Sequence, residues 1–180
     1  MIRTVKITSD SKYLISASDD GTVKLFNFET REKVFTFESL HSGEILTMAL
    51  SRDNRFIVTG SVDKSIKIID LETRKEIHCF KGEEGGIEDQ VDNVAISFDG
   101  QYIFAGISNG SMLMFDIKAK KKVKHFPDVH QGRFFGLAVS KNMDFAISCS
   151  SDKSIEVTEI AEKKRMFTNL KKAHFSMKRN

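Results

Sequence analysis

The sequence predicts an all-β chain: a β-propeller of about four four-stranded antiparallel blades, forming an open or incomplete ring. Three observations predict it. A strand-like hexapeptide recurs as Thr22–Asn27, Ser65–Asp70, Ser111–Asp116 and Ser154–Glu159. Its fifth residues, Phe26, Ile69, Phe115 and Thr158, are 43, 46 and 43 positions apart. A repeat of about 40–45 residues holding four short strands is the period of a propeller blade. Turn signals divide each repeat into four runs. The chain is 40% apolar and 29% charged, has one proline, Pro127, and has no Gly/Ser/Pro-rich stretch to split it, so it reads as one continuous globular array.

The second repeat shows the layout. Ile45–Leu50 is an apolar run for an innermost strand. Arg52–Arg55 turns the chain into the β-branched run Phe56–Gly60, and Val62–Lys64 turns it again into Ser65–Asp70. Glu72–Lys75 closes a hairpin onto Glu76–Phe80, a polar/apolar edge strand. The other repeats follow the same order, which places blades at about 1–38, 39–81, 82–127 and 128–169, with 170–180 resembling the start of a further blade. The longer 46-residue spacing comes from an insertion at Gly82–Gln90, a solvated acidic loop. Innermost strands are expected to be continuously apolar because both of their faces meet a neighbouring blade. Outermost ones, such as Lys33–Phe37 and Lys122–Phe126, carry charge because one edge meets water.

Ser18–Asn27 and Thr59–Asp70 resemble the strand–turn–strand core of the WD40 repeat family, and four copies in register extend the resemblance over nearly the whole chain. The resemblance implies a carboxylate in the turn between second and third strands. Asp20, Asp63 and Asp152 match it, with Asn109 in the third repeat. It also implies a histidine from the loop leading into each blade, matched by His41 and His130, with Ile87 in its place in the third repeat. The first repeat lacks this loop because the chain starts inside its first strand. The family's tryptophan is replaced throughout, by Phe26, Ile69, Phe115 and Thr158, and its indole donor goes with it. Weaker polar stapling and more reliance on apolar packing should follow. His41 and His130 are therefore read as structural.

WD40 propellers usually close with about seven blades, so four suggest a piece of a larger ring or a ring completed by a partner. The first and fourth blades would each present apolar inter-blade surface, and self-association or a partner covering it is expected.

No phosphate loop, nucleotide fingerprint, clustered zinc pattern or nucleophile elbow occurs. His125 and His130, either side of Pro127, are too few for a metal site. The chain is read as no enzyme, without cofactor or metal. The family resemblance implies a non-catalytic scaffold for protein–protein interactions within a larger complex. Candidate partner contacts are Lys64, Lys153, Glu83, Glu84 and Arg133, with Arg133 as an exposed anchor and Phe134 and Phe135 turned partly into the core.

The alternative function is a basic-faced module for anionic membrane or nucleic acid. The third-to-fourth strand turns would gather Arg31, Arg74, Lys75, Lys120, Lys121, Lys122, Lys163 and Lys164 in an arc on one face. Against it, 28 basic side chains are nearly balanced by 25 acidic ones. No segment is apolar enough to span a bilayer, and the first residues do not read as a secretory signal. A cytoplasmic or nuclear location is expected, with Cys79 and Cys149 as reduced, half-buried thiols.

Overall fold

The computed structural model describes residues 1–160, apart from the side chains of Glu83 and Glu84. The first blade comprises β1 (Ile2–Ile7), β2 (Tyr13–Ser18), β3 (Val23–Asn27) and β4 (Lys33–Phe37). The second comprises β5 (Ile45–Leu50), β6 (Phe56–Ser61), β7 (Ser65–Asp70) and β8 (Lys75–Lys81). After a single helical turn, α1 (Gly82–Gly85), the third follows as β9 (Val91–Ile96), β10 (Tyr102–Ile107), β11 (Met112–Asp116) and β12 (Lys121–Phe126). The fourth contributes β13 (Phe134–Val139), β14 (Phe145–Ser150) and β15 (Ile155–Glu159). Every sheet is antiparallel, with its strands in chain order. The last strand expected for the fourth blade, Lys163, Lys164 and the 170–180 stretch lie outside the described residues.

Local chemistry explains why each blade folds the same way. In the turns after the first strands, Thr8, Ser51, Ser97 and Ser140 each accept a hydrogen bond from the backbone N–H five residues on, at 2.8–3.0 Å. The first three also donate to a carboxylate two residues ahead, on Asp10, Asp53 and Asp99. In the turns before the fourth strands, Asn27, Asp70 and Asp116 accept backbone N–H groups three residues on. Such side-chain acceptors replace the ladder bonds a turn loses. Each innermost strand also carries a one-residue bulge against its neighbour, at Arg3, Leu46, Asp92 and Phe135.

The blades pack face to face through three apolar layers. Ile15, Val23 and Leu25 of the first meet Ile45, Met48, Ile57 and Ile69 of the second. Val58, Ile66 and Ile68 meet Val91, Val94 and Ile103 of the third. Phe104, Met112 and Met114 meet Phe134 and Ala146 of the fourth. Each fully buried Ile, Val or Phe side chain contributes about 1.5–3 kcal/mol. The arc stays open. The expectation that every innermost strand is buried on both faces fails for β1, exposed at all positions but Thr4, because among the described residues it has a neighbouring blade on one side only.

Candidate interaction surface

One end of each blade is built around the side chain of the second-to-third strand turn, a carboxylate in the first, second and fourth blades and Asn109 in the third. In the second blade the buried His41 places Nδ1 3.0 Å from Asp63 Oδ2 and Nε2 2.7 Å from Thr59 Oγ1. Ser65 Oγ donates to Asp63 at 2.5 Å, and the Ser42 N–H donates to it at 3.0 Å. The fourth blade repeats the set: His130 lies 3.2 Å from Asp152, 2.9 Å from Ser154 Oγ and 2.8 Å from Ser148 Oγ, and Gln131 N–H donates to Asp152 at 2.8 Å. Burial alone would raise both carboxyls. Donation from His41 and Ser65 holds Asp63 well below the usual carboxylate range, and donation from Ser154 and the Gln131 N–H does the same for Asp152.

The tryptophan position brings packing instead of a donor: Ile69 and Phe115 are fully buried, Ile69 against the first blade and Phe115 in the layer between the second and third. In the third blade three positions change together. Ile87 stands for the histidine, Ala105 for the hydroxyl of Thr59 or Ser148, and Asn109 for the carboxylate. Ile87 and Ala105 are buried in the apolar layer, while Asn109 still accepts the Ser111 N–H at 3.0 Å and its hydroxyl at 2.6 Å. Asp20 of the first blade likewise accepts both donors of Thr22. Sequence reasoning missed Thr59, Ser148, Ser65 and Ser154. The signal was there: a hydroxyl residue stands two positions after the turn Asp or Asn in all four repeats.

Lys64 and Lys153 are exposed on this end, both in left-handed turn conformations, and Lys64 Nζ donates to the Glu88 carbonyl at 2.9 Å. The side chains of Glu83 and Glu84 lie outside the described set. Arg133, expected as an exposed anchor, is exposed, and its guanidinium is also held by the buried Asp92 at 2.9 Å. Its neighbour Phe135, expected to turn partly inward, is exposed as well. The bulge swings it out while Phe134 stays buried.

At the opposite end Arg31, Arg74 and Lys120 occupy equivalent turn positions, all left-handed with φ of 61°, 56° and 54°. Lys75 and Lys121 are exposed beside them and Lys122 is half-buried. Part of this charge is already used: Lys120 Nζ donates to the Ile77 carbonyl at 3.0 Å, Arg74 lies over Phe35, and Arg55 pairs with Asp70 at 3.5 Å. Between the first and second blades a cavity of about 510 Å³ is lined by Asp10, Asp53 and Glu72 as well as Arg55 and Arg74. Arg52 and Lys141 both sit over the Phe98 ring, at 4.1 and 4.8 Å from its centroid.

Residues 1–27 and 31–70 match the family model for the WD domain, G-beta repeat. No curated protein matches the chain. The match spans β1 to β7, and the third and fourth blades repeat the ladder, bulge and turn chemistry seen there. Over residues 1–70 the chain is similar to the WD40 repeat family.

Proposed function

We propose that this chain is a non-catalytic scaffold that holds other proteins within a larger complex, in the cytoplasm or nucleus. WD40 repeats in general mediate protein–protein interaction. The observation that carries the reading is how the side chains are used. The buried histidine–carboxylate pairs are committed to hydroxyl and backbone partners. Most of the exposed large apolar side chains, by contrast, lie on the first and fourth blades, Ile2, Val5, Ile7, Phe135, Phe145 and Ile147 among them. A surface with that composition suits protein partners. The test is a photo-cross-linking amino acid placed at Lys64 or Lys153 in the cell of origin, with adducts identified by mass spectrometry. One protein captured from both positions, and competed away by excess unlabelled chain, supports the reading. Nucleic-acid adducts alone overturn it.

A second reading, a basic surface for anionic lipid or nucleic acid, is favoured by the three left-handed turn cations and the doubly capped Phe98. Non-glycine residues pay strain at such φ values, so a long basic side chain there is unusual. Vesicles rich in phosphatidylserine, and duplex RNA, should then bind in a salt-dependent way that charge reversal at Lys120, Lys121 and Lys122 abolishes. Binding that ignores salt and those substitutions removes this reading.

A further inference from the structure

All three blade junctions use one set of positions. The paired residues Ile15 and Leu25, Val58 and Ile68, and Phe104 and Met114 form the forward face of the first three blades, each pressed on the next blade. The ladder puts Ile147 and Val157 at the same positions in the fourth. Val58 is fully buried and Ile147 is 46% exposed. The rear faces behave alike. Met48 and Val94 are buried in their junctions, and the equivalent residue of the first blade, Val5, is 54% exposed.

The inner rim fixes which face meets which. One backbone hydrogen bond recurs in every blade, to the carbonyls of Met1, Glu44, Gln90 and Arg133, and identifies these four as equivalent. At two of the three junctions the bulge residue of one blade pairs with this residue of the next. Arg3 meets Glu44 at 3.1 Å between the first and second blades. Asp92 meets Arg133 at 2.9 Å between the third and fourth, with the charges exchanged. The corresponding rim positions at the two ends are Phe135, 68% exposed, and Met1, 73% exposed, whose N-terminal ammonium pairs with Asp19 of its own blade. Their side chains are an apolar match for each other and for neither ion pair.

We propose that two copies of the chain close head to tail. For two copies of this 180-residue stretch, the forward face of each fourth blade seats on the rear face of the other copy's first blade. A second copy fits because each chain supplies one face of each kind, in the register its own three junctions already use. A heterologous contact of this kind leaves no free face once the rotation closes. In the ring Phe135 of one copy covers Met1 of the other. Cys149, at the forward-face position held by Ala17, Gly60 and Gly106 elsewhere, comes under Ile2 of the other copy.

The proposal extends the scaffold reading to self-assembly, and its failure would leave cross-linking from Lys64 and Lys153 untouched. The test is sedimentation velocity on the 180-residue chain, together with thiol labelling of a Cys79→Ser form that leaves Cys149 as its sole thiol. A doubled mass and a protected Cys149 are expected. Ile147→Arg and Val5→Glu should each halve the mass and unmask Cys149 while the circular dichroism stays all-β. Mixed one to one, these two variants should regain the doubled mass. One junction is then intact, and the other brings the two introduced opposite charges together. A monomeric parent chain would overturn the proposal, including one whose Cys149 is covered by residues 161–180. So would either variant staying dimeric alone, which signals a same-face contact, or a mass that grows without limit.

Discussion

Arg133 and Asp92 clamp the third blade to the fourth: Nε and Nη2 lie 3.0 and 2.9 Å from one carboxylate oxygen. The Asp92 side chain is 1% exposed and also accepts the Phe134 N–H and the Ser108 hydroxyl. Removing the cation leaves a buried carboxylate short of its partner. Arg133→Ala should therefore cost about 3 kcal/mol, read as a lower urea midpoint. Arg3 and Glu44 hold the equivalent place between the first two blades, but both are exposed to water. Arg3→Ala should leave the midpoint within error. Equal losses from the two variants would contradict this ranking by burial.

Asp63 gives the fold an acid-sensitive limb. Its folded-state carboxyl is held below the unfolded value of about 3.9. The stabilisation is therefore fully present above that value and disappears as pH falls through the depressed folded-state one. Asp63→Asn should lower stability at neutral pH by about 1–3 kcal/mol and make the urea midpoint less steep through the acid range. Asp152→Asn should act in the same direction. Asn109→Ala, in the blade that has no carboxylate at this turn, should leave the acid limb unchanged.

How far the sequence carried the structure depended on whether a feature was local and patterned. Lys33–Phe37 and Ser65–Asp70 have the same bounds as β4 and β7, because a polar/apolar alternation stops at turn residues on both sides. The Thr8–Asp10 and Ser51–Asp53 turns were local too, but their order lies in hydrogen bonding, which hydropathy does not record. Phe134 and Phe135 are adjacent and chemically identical, and only the bulge sends one inward and the other out. The partner of Arg133 lies 41 residues away, so its engagement shows only once two blades are set side by side.

Gly110 sits directly under the loop that carries His130, whose N–H donates to the Gly110 carbonyl at 3.0 Å. Its φ is +86°, and an added Cβ would run into the His130 carbonyl oxygen. Gly21 is placed the same way under His41. At Lys64 the turn is equally left-handed, but the loop that follows carries Ile87 and leaves room for a side chain that reaches the Glu88 carbonyl. Gly110→Ala should therefore lose more than the roughly 1–2 kcal/mol of left-handed strain alone, as a drop in thermal midpoint. Lys64→Gly relieves that strain but adds backbone entropy to the unfolded state, so it should shift stability by less than about 1 kcal/mol.

Ile87, Ala105 and Asn109 form an apolar version of the network that His41, Thr59 and Asp63 make in polar form, and each version works only as a set. Ile87→Ala opens a cavity in the layer between the second and third blades and should cost about 3 kcal/mol. Ile87→His alone should cost at least as much. It buries an imidazole opposite Ala105, which offers no hydroxyl, so a ring nitrogen stays unsatisfied. Adding Ala105→Thr and Asn109→Asp supplies both missing partners in the geometry seen in the second blade. The triple variant should then recover most of the loss, although each added change is destabilising by itself. Urea midpoints of the single, double and triple variants measure this coupling. Simple additivity among the three would show that the blade does not treat these positions as a unit.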